Sequence, residues 1–542
     1  MSSTKEYSGK DIKVLSDHEH VRLRTSIYLG STEMTTYEIP IFTNDNIEIK
    51  QKSFIPALFK SFNEISDNAI DELTQLTKKD KKITYHHDTI TNRFKICDNG
   101  RGVPIDIHEQ TNTYTPETVF TQLRSGRNFD DDAKDSGVIG TNGVGSSCVA
   151  MLSEEFHVQI KRDNTFYEQM YRDGTTVIET PMINTLKSKE TGTCIEYKID
   201  TSLPQFESIK IDHEMIENRV FEIAVNNPNL ELSYSRKQLD DDGDEEQISK
   251  TFQFKGGMSE YLKRVSDSFF EFKYESEDFT AKYYIVLDKY RGIDEKIFVY
   301  VNSSLLFEGG TASHMFFNTF FSSVCDGLKK EAKKRKIELN KNDVKQNLLI
   351  LADVKMKNPR YDNQSKTRLI SQEIKKHIDK MISNQISKFL SSNKVWVSEI
   401  LDRAEFRQRI ADMTEVKKKQ KKKGKLAKLI DCYTKDRNQA TIVFSEGDCL
   451  VDNTSIICKD GIKVIKDIVI GEKLLTHTSE FKKVISTKSV QKRKYQIVYA
   501  DEIIECSGGH KFPVWNIETE KIQLLKVKEL DINRHKLLKK LA

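Results

Sequence analysis

The chain has 542 residues, of which 37% are hydrophobic and 31% are charged, and its formal net charge is +4 at pH 7. This length predicts three or four domains, and 28 Phe and 19 Tyr residues can build their cores, which excludes a disordered chain. The net charge is too small to establish a nucleic-acid partner. No apolar run is long enough for a membrane span or a secretory signal, so we expect no membrane partner. The eight Cys form no CxxC pair, which argues against a zinc ribbon and a disulfide framework and fits a reduced, cytoplasmic setting.

The hydrophobic pattern predicts a mixed chain of helices and strands. In chain order it predicts a helix over 54–78, strands over Lys82–His87 and Arg93–Cys97, a glycine-rich loop over 137–145, a helix over Ser146–Leu152, a strand over Ile297–Asn302 and long helical structure over 371–416. Residues 240–246 form an acidic loop, which marks a domain edge. Eight lysines then fall between Lys417 and Lys428, either as contacts to nucleic-acid phosphates or as a solvated linker. Beyond 448 the pattern is of short β-strands.

The first candidate site lies on the helix predicted over 54–78. Glu64 and Asn68 are four residues apart, so they share one helical face. There Glu64 can take a proton from water, and the amide oxygen of Asn68 can hold a Mg²⁺ ion. The alternative is a solvated acidic helix face, and this motif alone does not decide between the two.

Three further motifs follow along the chain. Asp98 opens a DxGxG turn in which Gly100 and Gly102 let the backbone approach a flat ligand, although an ordinary Asx turn is the alternative. The glycines of 137–145 precede a helix and can present backbone N–H groups to phosphate. No Lys-Ser/Thr pair follows them, which excludes a P-loop. The fourth motif, Thr191-Gly192-Thr193, carries little information by itself.

In this order the four motifs resemble the GHKL ATPases, the class of gyrase, heat-shock ATPases, histidine kinases and mismatch-repair ATPases. The resemblance implies a Bergerat ATPase sandwich that uses ATP and Mg²⁺. It implies that Glu64 is the general base, that Asn68 is a Mg²⁺ ligand and that Asp98 binds adenine. The other nucleotide contacts that it implies are Gly100, Gly102, Asn128, Gly140, Thr141, Asn142, Gly143, Val144, Gly145 and Thr193.

Three more segments resemble the gyrase-type branch of this class. The opening segment, with Thr25-Ser26 in place of the family's Pro-Gly, resembles the start of these subunits, whose N-terminal arm reaches the partner's nucleotide; Tyr7 and Ile12 match arm residues. Residues 299–302 and 308–311 resemble the transducer domain. Gln364-Ser365-Lys366 resembles its QTK loop, with Ser365 in place of Thr. The resemblance implies that Gln364 and Lys366 contact the nucleotide and that Lys366 senses the γ-phosphate, whereas the alternative for Lys366 is a surface lysine.

Residues 429–432 and 441–448 resemble the entry to a TOPRIM domain. In that family Glu446, at the end of a strand, helps to hold Mg²⁺ for DNA cleavage. The other TOPRIM carboxylates and the DNA-attacking tyrosine are missing. The resemblance therefore implies that this polypeptide alone does not cut DNA and that a separate subunit carries the tyrosine.

After Asp448 the sequence resembles an intein instead. Cys449 begins a segment similar to the first intein block, and His510 lies in a segment similar to the TxxH block. The resemblance implies that Cys449 attacks the carbonyl of Asp448 to form a thioester and that His510 assists. The terminal His-Asn of an intein is missing, so we expect the N-terminal half of a split intein. The alternatives are a truncated continuous intein and an ordinary small β-domain.

Together these resemblances predict an α+β multidomain chain. They imply a GHKL ATPase domain over 1–250, a transducer domain with a long helix over 251–400, a linker and the start of TOPRIM over 401–448, and a β-rich Hint fragment over 449–542.

The family implied is the type IIA DNA topoisomerase ATPase subunit, of the gyrase B and T-even-phage kind. Its function would be ATP-gated clamp closure and DNA strand passage, with trans-splicing by the intein half, in the cytoplasm of a cell or of a phage host. The implied partners are double-stranded DNA, a second copy of the chain, the tyrosine-carrying subunit and a polypeptide with the C-intein and the rest of TOPRIM. The alternatives are another GHKL ATPase, such as a mismatch-repair clamp, and an inactive intein-carrying remnant.

Overall fold

The chain forms two compact units in a computed structural model, Met1–Lys417 and Lys418–Ala542. The structure describes residues 9–126, 139, 143–206, 211–287, 295–421, 452, 455–475, 481–487, 493–499, 502–508, 511–517, 521–531 and 535–537. Among these residues, no helix has the length and apolarity to cross a membrane.

The first part of the larger unit is a nine-stranded sheet with helices on it. Its elements are α1 (Asp17–Leu23), α2 (Thr25–Leu29), β1 (Thr35–Phe42), β2 (Ile47–Phe54), α3 (Pro56–Thr74), β3 (Lys81–Asp88), β4 (Arg93–Asp98), α4 (Thr115–Thr121), α5 (Gly145–Met151), β5 (Ser153–Arg162), β6 (Thr165–Arg172), β7 (Val177–Ile178), β8 (Met182–Thr185), β9 (Gly192–Ile199), α6 (His213–Asn226), β10 (Leu230–Leu239) and β11 (Glu245–Phe252). The sheet order is β11-β10-β3-β4-β9-β5-β6-β7, with β8 also paired to β6, while β1 and β2 form a separate hairpin.

Side-chain alternation explains why the helices cover one face of this sheet. On β3 and β4 the buried residues are every second one, namely Ile83, Tyr85, His87, Phe94 and Ile96. Helices α3, α5 and α6 pack over that face. Neighbouring strands are antiparallel except β3 and β10, which are parallel because α6 precedes β10 and crosses back over the sheet.

The second part of the larger unit is a five-stranded sheet with long helices against it. Its elements are α7 (Gly257–Val265), β12 (Phe269–Glu275), β13 (Phe279–Val286), β14 (Lys296–Val301), β15 (Ser304–Leu305), α8 (Thr311–Gly327), α9 (Lys329–Arg335), α10 (Lys341–Lys345), β16 (Leu349–Met356), α11 (Lys375–Ser392) and α12 (Lys394–Lys421). The sheet order is β12-β13-β16-β14-β15. Aromatic rings fill its core, where Phe389 of α11 contacts Phe272, Phe320 and Trp396.

The described residues of the smaller unit form only short antiparallel strands and single helical turns. The strands are β17 (Ser455–Cys458), β18 (Gly461–Val464), β19 (Lys473–Leu475), β20 (Phe481–Lys483), β21 (Lys494–Tyr499), β22 (Glu502–Ser507), β23 (Lys511–Asn516), β24 (Lys521–Lys526) and β25 (His535–Leu537). They pair as β18-β17-β19-β20, β21-β22 and β24-β23-β25. These short strands agree with the β-rich pattern that the sequence predicts beyond residue 448.

The helices and strands predicted from the hydrophobic pattern are confirmed, with one refinement. The helical stretch expected over 371–416 is two helices, because the chain breaks at Asn393, whose side chain donates to the carbonyl of Phe389 at 2.8 Å. The domain boundary expected at 250 falls inside β11, which ends at Phe252. The predicted boundary at 448 lies outside the described residues.

One pair of cysteines differs from expectation. Cys97 on β4 and Cys194 on β9 are register partners in neighbouring antiparallel strands, and they form a disulfide. Their separation of 97 residues along the chain hides this pairing from an argument based on spacing. Of the other cysteines, Cys148, Cys325 and Cys458 are free thiols.

Candidate functional site

Glu64 lies in the middle of α3, on the helix face that packs into the core. Pro56 begins this helix at a position where its missing N–H costs nothing. The Glu64 carboxylate is only 7% exposed, and its Oε1 lies 2.7 Å from the ammonium of Lys60, one helical turn earlier. Its Oε2 faces the start of α5, where a Cβ in place of Gly145 would overlap it. One carboxylate oxygen is therefore fixed by Lys60, and the other faces the glycine loop.

The charges around Glu64 keep it ionised. Burial alone would raise the pKa of Glu64, but the ammonium groups of Lys60 and Lys366 outweigh burial and hold the pKa below its usual value. Conversely, burial and the neighbouring Lys60 lower the pKa of Lys366. The site therefore holds a carboxylate that is available as a proton acceptor at neutral pH.

Asn68 lies one turn after Glu64 and is exposed. Its Nδ2 donates to the hydroxyl of Ser146, at the start of α5, at 2.7 Å. The amide nitrogen is thus engaged, and the oxygen is the atom suited to a cation. Among the described residues, no group of three or more His, Cys, Asp or Glu side chains is placed to hold a metal ion.

Asp98 ends β4, and its carboxylate accepts hydrogen bonds from two backbone segments. The N–H of Gly100 donates to it at 2.7 Å, and the backbone of Thr193 on β9 donates as well. Burial raises the pKa of Asp98 to about 6, the charge of Glu72 adds to that rise, and the hydrogen bonds oppose it. A buried carboxylate that backbone hydrogen bonds stabilise in this way can accept a further hydrogen bond from a donor group of a ligand.

The glycines of the DxGxG turn are required by close packing. A Cβ on Gly100 would overlap the side chain of Glu72. Gly102 has φ +78°, and a Cβ there would lie 2.8 Å from the carbonyl of Lys161. Thr193 stabilises the same turn, because its hydroxyl accepts from the N–H of Val103 at 3.2 Å.

Ile139 links the glycine-rich segment to two other parts of the site. Its N–H donates to the carboxylate of Asp71 on α3 at 2.8 Å. Its carbonyl accepts from the ammonium of Lys366 at 2.7 Å. Lys366 is 7% exposed, so the alternative of a surface lysine is wrong, and the structure brings Lys366 and Glu64 into one buried site.

The segment that carries Lys366 is held against the rest of the larger unit. Lys366 itself has a left-handed backbone, with φ +59°. The N–H of Glu308 donates to the carbonyl of Thr367 at 3.0 Å, and Ser365 packs against Gly30, where a Cβ would lie 2.9 Å away. Gln364 is half-buried beside them.

The remaining predicted site residues fall into two groups. Gly143, Val144 and Gly145 lead directly into α5, as predicted, whereas the Ile12 side chain is 64% exposed. The predicted residues that lie outside the described part of the chain are Tyr7, Asn128, Gly140, Thr141, Asn142, Glu446, Cys449 and His510.

The sequence reasoning missed three residues that build the site. Lys60 could have been found from its spacing, because a lysine four residues before a glutamate on a helix predicts an ion pair. Asp71 and Arg219 could not have been found from spacing, because their partners, Ile139 and Asp67 respectively, are far away in the sequence.

Two family models match the chain. The model described as DNA gyrase B matches residues 257–423. The model described as histidine kinase-, DNA gyrase B- and HSP90-like ATPase matches residues 55–201, which include Glu64, Asn68, Asp98 and Thr193.

Curated relatives match over most of the chain. The DNA gyrase B protein of Campylobacter jejuni is 28% identical over 461 residues, which are 82% of this chain and 54% of that protein. The DNA gyrase B protein of Thermotoga maritima is 28% identical over 470 residues, which are 82% of this chain and 67% of that protein. The chain thus spans between about half and two thirds of the length of these relatives.

Solved structures share the fold. The ATPase region of Saccharomyces cerevisiae topoisomerase II matches with a TM-score of 0.56 and 22% identity, over 71% of this chain and 98% of that one. The 43K ATPase domain of Thermus thermophilus gyrase B matches with a TM-score of 0.53 and 21% identity, over 74% and 98%. At this identity the likeness establishes the fold alone.

The raised pKa of Asp98 predicts a pH-dependent cost to stability. An unfolded Asp titrates near pH 4, so between that pH and about 6 the folded chain binds more protons than the unfolded chain. The free energy of unfolding therefore contains an Asp98 contribution that falls as pH rises through this range and is level above it. Asn does not titrate, so its contribution does not change with pH. Between pH 5 and pH 8, the free energy of unfolding of Asp98→Asn should therefore rise relative to that of the wild type by about 1 kcal/mol, a value that allows for partial exposure of the side chain.

Denaturant unfolding of both chains at the two pH values measures this difference. The control is Asp80→Asn, because the Asp80 side chain is 77% exposed and should show no such change. A relative stability of Asp98→Asn that stays constant between the two pH values would contradict the prediction.

Proposed function

We propose that the chain belongs to the family of ATPase subunits that includes DNA gyrase B, and that it binds and hydrolyses ATP as the ATPase subunit of a type II DNA topoisomerase. The observation that carries this proposal is the position of Glu64. Its free oxygen faces the start of α5 while Lys60 and Lys366 keep it charged. A histidine-kinase relationship does not account for the DNA gyrase B match over 257–423 or for Lys366 beside Glu64.

Binding of ATP would use the groups around Asp98 and the glycine loop. The Asp98 carboxylate accepts a hydrogen bond from the adenine amino group, and Gly100 and Gly102 let the base approach the backbone. Residues 140–145, including Gly143, Val144 and Gly145, hold the phosphates ahead of α5. Asn68 supplies an oxygen to Mg²⁺, which neutralises charge on the phosphates when it is bound.

Hydrolysis would begin with a proton transfer to Glu64. Water attacks the terminal phosphorus, and a new P–O bond forms as the bond to the β,γ-bridging oxygen breaks and ADP leaves. The proton of the water passes to Oε2 of Glu64, the oxygen that is not bound to Lys60. The ammonium of Lys366 stabilises the terminal phosphate, because its position beside Glu64 brings a positive charge to that end of the nucleotide. Lys366 also connects the nucleotide to the second sheet, through the loop that holds Thr367.

The larger function of the chain follows from that connection. ATP binding would close two copies of the chain around double-stranded DNA, with the arm residues Tyr7 and Ile12 reaching the partner's nucleotide, and hydrolysis would reopen them. A separate subunit supplies the cleaving tyrosine, and Glu446 contributes to a metal site in TOPRIM. We place this activity in the cytoplasm, or in the host cytoplasm for a protein of the T-even-phage kind.

A second activity is proposed for residues 449–542, as the N-terminal half of a split intein. Cys449 and His510 carry the chemistry, and the short antiparallel strands of the smaller unit are consistent with a β-rich domain. The DNA gyrase B model ends at residue 423, and the relatives leave 18% of the chain unmatched, a share close to that of this segment. Splicing to a second polypeptide, which carries the C-intein and the rest of TOPRIM, would complete the topoisomerase subunit.

Replacement of Glu64 tests the proposed hydrolysis. Glu64→Gln keeps the size of the side chain but removes the proton acceptor, so turnover should fall by about 10²–10⁴-fold while ATP still binds. Phosphate release and binding of the β,γ-imido analogue of ATP measure the two effects. Glu190→Gln, on an exposed carboxylate paired with Lys161, is the matched control. Turnover that survives in Glu64→Gln would remove Glu64 as the base.

Replacement of Asp98 tests the adenine contact. Asp98→Asn presents an amide donor where the adenine amino group needs an acceptor, so the affinity for ATP should fall by about 10–100-fold, as for a hydrogen bond to a charged group. Isothermal titration with the imido analogues of ATP and GTP measures the change. An unaltered affinity for the ATP analogue, with Asp80→Asn as the reference, would refute the assignment.

Replacement of Cys449 tests the proposed splicing. The Cys449 thiol would attack the carbonyl carbon of Asp448, forming the C–S bond as the C–N bond breaks and the amine takes a proton. Cys449→Ala should therefore lose both ligation to a C-intein polypeptide and cleavage by dithiothreitol at Asp448, and it should keep ATP turnover. Intact mass spectrometry detects each product, and Cys458→Ala is the control because it removes another thiol of the same segment. Splicing by the Cys449 variant would disprove the intein chemistry.

A further inference from the structure

A tight turn of the second sheet is buried against the helices of the first. Asn302 and Ser303 join β14 to β15, and both have positive φ, +48° and +68°, as a two-residue type I′ hairpin requires. Each residue is only 1% exposed. The Asn302 side chain donates to the carbonyl of Met356 at 3.0 Å and accepts from its N–H at 2.9 Å. The turn is therefore an inflexible part of the second sheet.

Arg219 of α6 binds both this turn and α3 with the same guanidinium group. Its Nη1 donates to the carbonyl of Ser303 at 2.5 Å, and its Nη2 donates to the carboxylate of Asp67 at 3.0 Å. Its Nε donates to the side chain of Asn63 at 2.9 Å. Arg219 and Asp67 are 2% and 1% exposed, so these bonds form away from water. The planar arginine fork therefore bridges two contacts on α3 and one on the second sheet.

The position of Asp67 makes this bridge relevant to the site. Asp67 lies between Glu64 and Asn68 on α3, and Lys60 is 4.0 Å from its other oxygen. A rotation or shift of α3 at Asp67 would displace both the proposed base and the proposed Mg²⁺ ligand. Glu222 also lies beside the guanidinium group, with its Oε2 3.9 Å from Nη1 of Arg219, while its Oε1 accepts from the hydroxyl of Tyr300 at 2.9 Å.

We propose that Arg219 is a positioning residue for ATP hydrolysis, which aligns Glu64 and Asn68 by fixing α3 to the buried turn of the second sheet. This inference rests on the proposed ATPase function. It predicts that the chemical step depends on a residue that does not contact the nucleotide. It also predicts that the turn at 302–303, which belongs to the second sheet, affects ATP turnover at the site on α3.

The test compares two buried arginines in the full chain. Arg219→Met removes the fork but keeps the aliphatic bulk, and kcat should fall by about 10–100-fold through misalignment, while the Kd of the β,γ-imido analogue stays within about two-fold. Arg236→Met is the matched control, since Arg236 is 9% exposed and forms its ion pair, at 3.8 Å, with Glu217 rather than with α3. It should keep the wild-type kcat. Arg219→Lys should give an intermediate kcat, because one ammonium cannot reproduce a planar fork.

A second pair of variants tests the same bridge from the other sheet and carries the test if Arg219→Met does not fold. Asn302→Ala removes both bonds to Met356 and disfavours positive φ, so kcat should fall while analogue binding is retained. Asn302→Gly keeps the turn geometry and should retain more activity. Wild-type kcat in Arg219→Met or Asn302→Ala would overturn the inference and leave the proposed function standing. A wild-type chain that neither binds nor hydrolyses ATP would overturn both.

Discussion

The proposed site depends on charge neutralisation on the buried surface of α3. Lys60, Glu64 and Asp67 lie on α3 with Arg219 against them, and each is less than a tenth exposed. An isolated charge in such surroundings would cost several kcal/mol, so each group is retained only because an opposite charge lies beside it. The pairs Lys60–Glu64 and Asp67–Arg219 therefore fix one another's side chains. This arrangement also explains why α3 is buried on most of its surface although it carries so many polar residues.

Asp98 shows the opposite balance, because the effect of burial on its pKa outweighs the effect of the groups that stabilise its charge. No cation forms an ion pair with it in the described structure, and burial raises its pKa although the N–H groups of Gly100 and Thr193 and the charge of Lys78 oppose that rise. Such a group destabilises the empty fold at neutral pH and is stabilised by a ligand that donates to it. The two carboxylates of the site thus differ in a way that suits their proposed tasks, with Glu64 charged for proton transfer and Asp98 prepared for a hydrogen-bond donor.

Much of the fold was predictable from local patterns. The spacing of Phe62, Ile65 and Leu73 predicts α3, and the alternation in 93–97 predicts β4, because side-chain periodicity is a local property. The family resemblance assigned Glu64, Asn68 and the glycine loop to a common nucleotide site, and the structure places Glu64 and Asn68 beside the start of α5. Contacts made by Arg219, Asp71 and the Cys97–Cys194 pair were not predictable, since each joins residues that only the completed topology brings together. The break at Asn393 was missed because a polar residue in a long helical pattern is compatible with either continuation or an end.

The hairpin of β10 and β11 and the hairpin of β14 and β15 differ in how much sequence change they can accept. The connection between β10 and β11 is an exposed acidic turn closed by a bond from Asp240 to Asp244, so extra residues there would meet only solvent. The turn at Asn302 and Ser303 looks equally simple in the sequence, yet it is enclosed on all sides. Evolutionary insertions, affinity tags and fluorescent labels are therefore compatible with the first hairpin and excluded from the second. Variation in loop length across relatives should follow the same division, independently of how short each turn is.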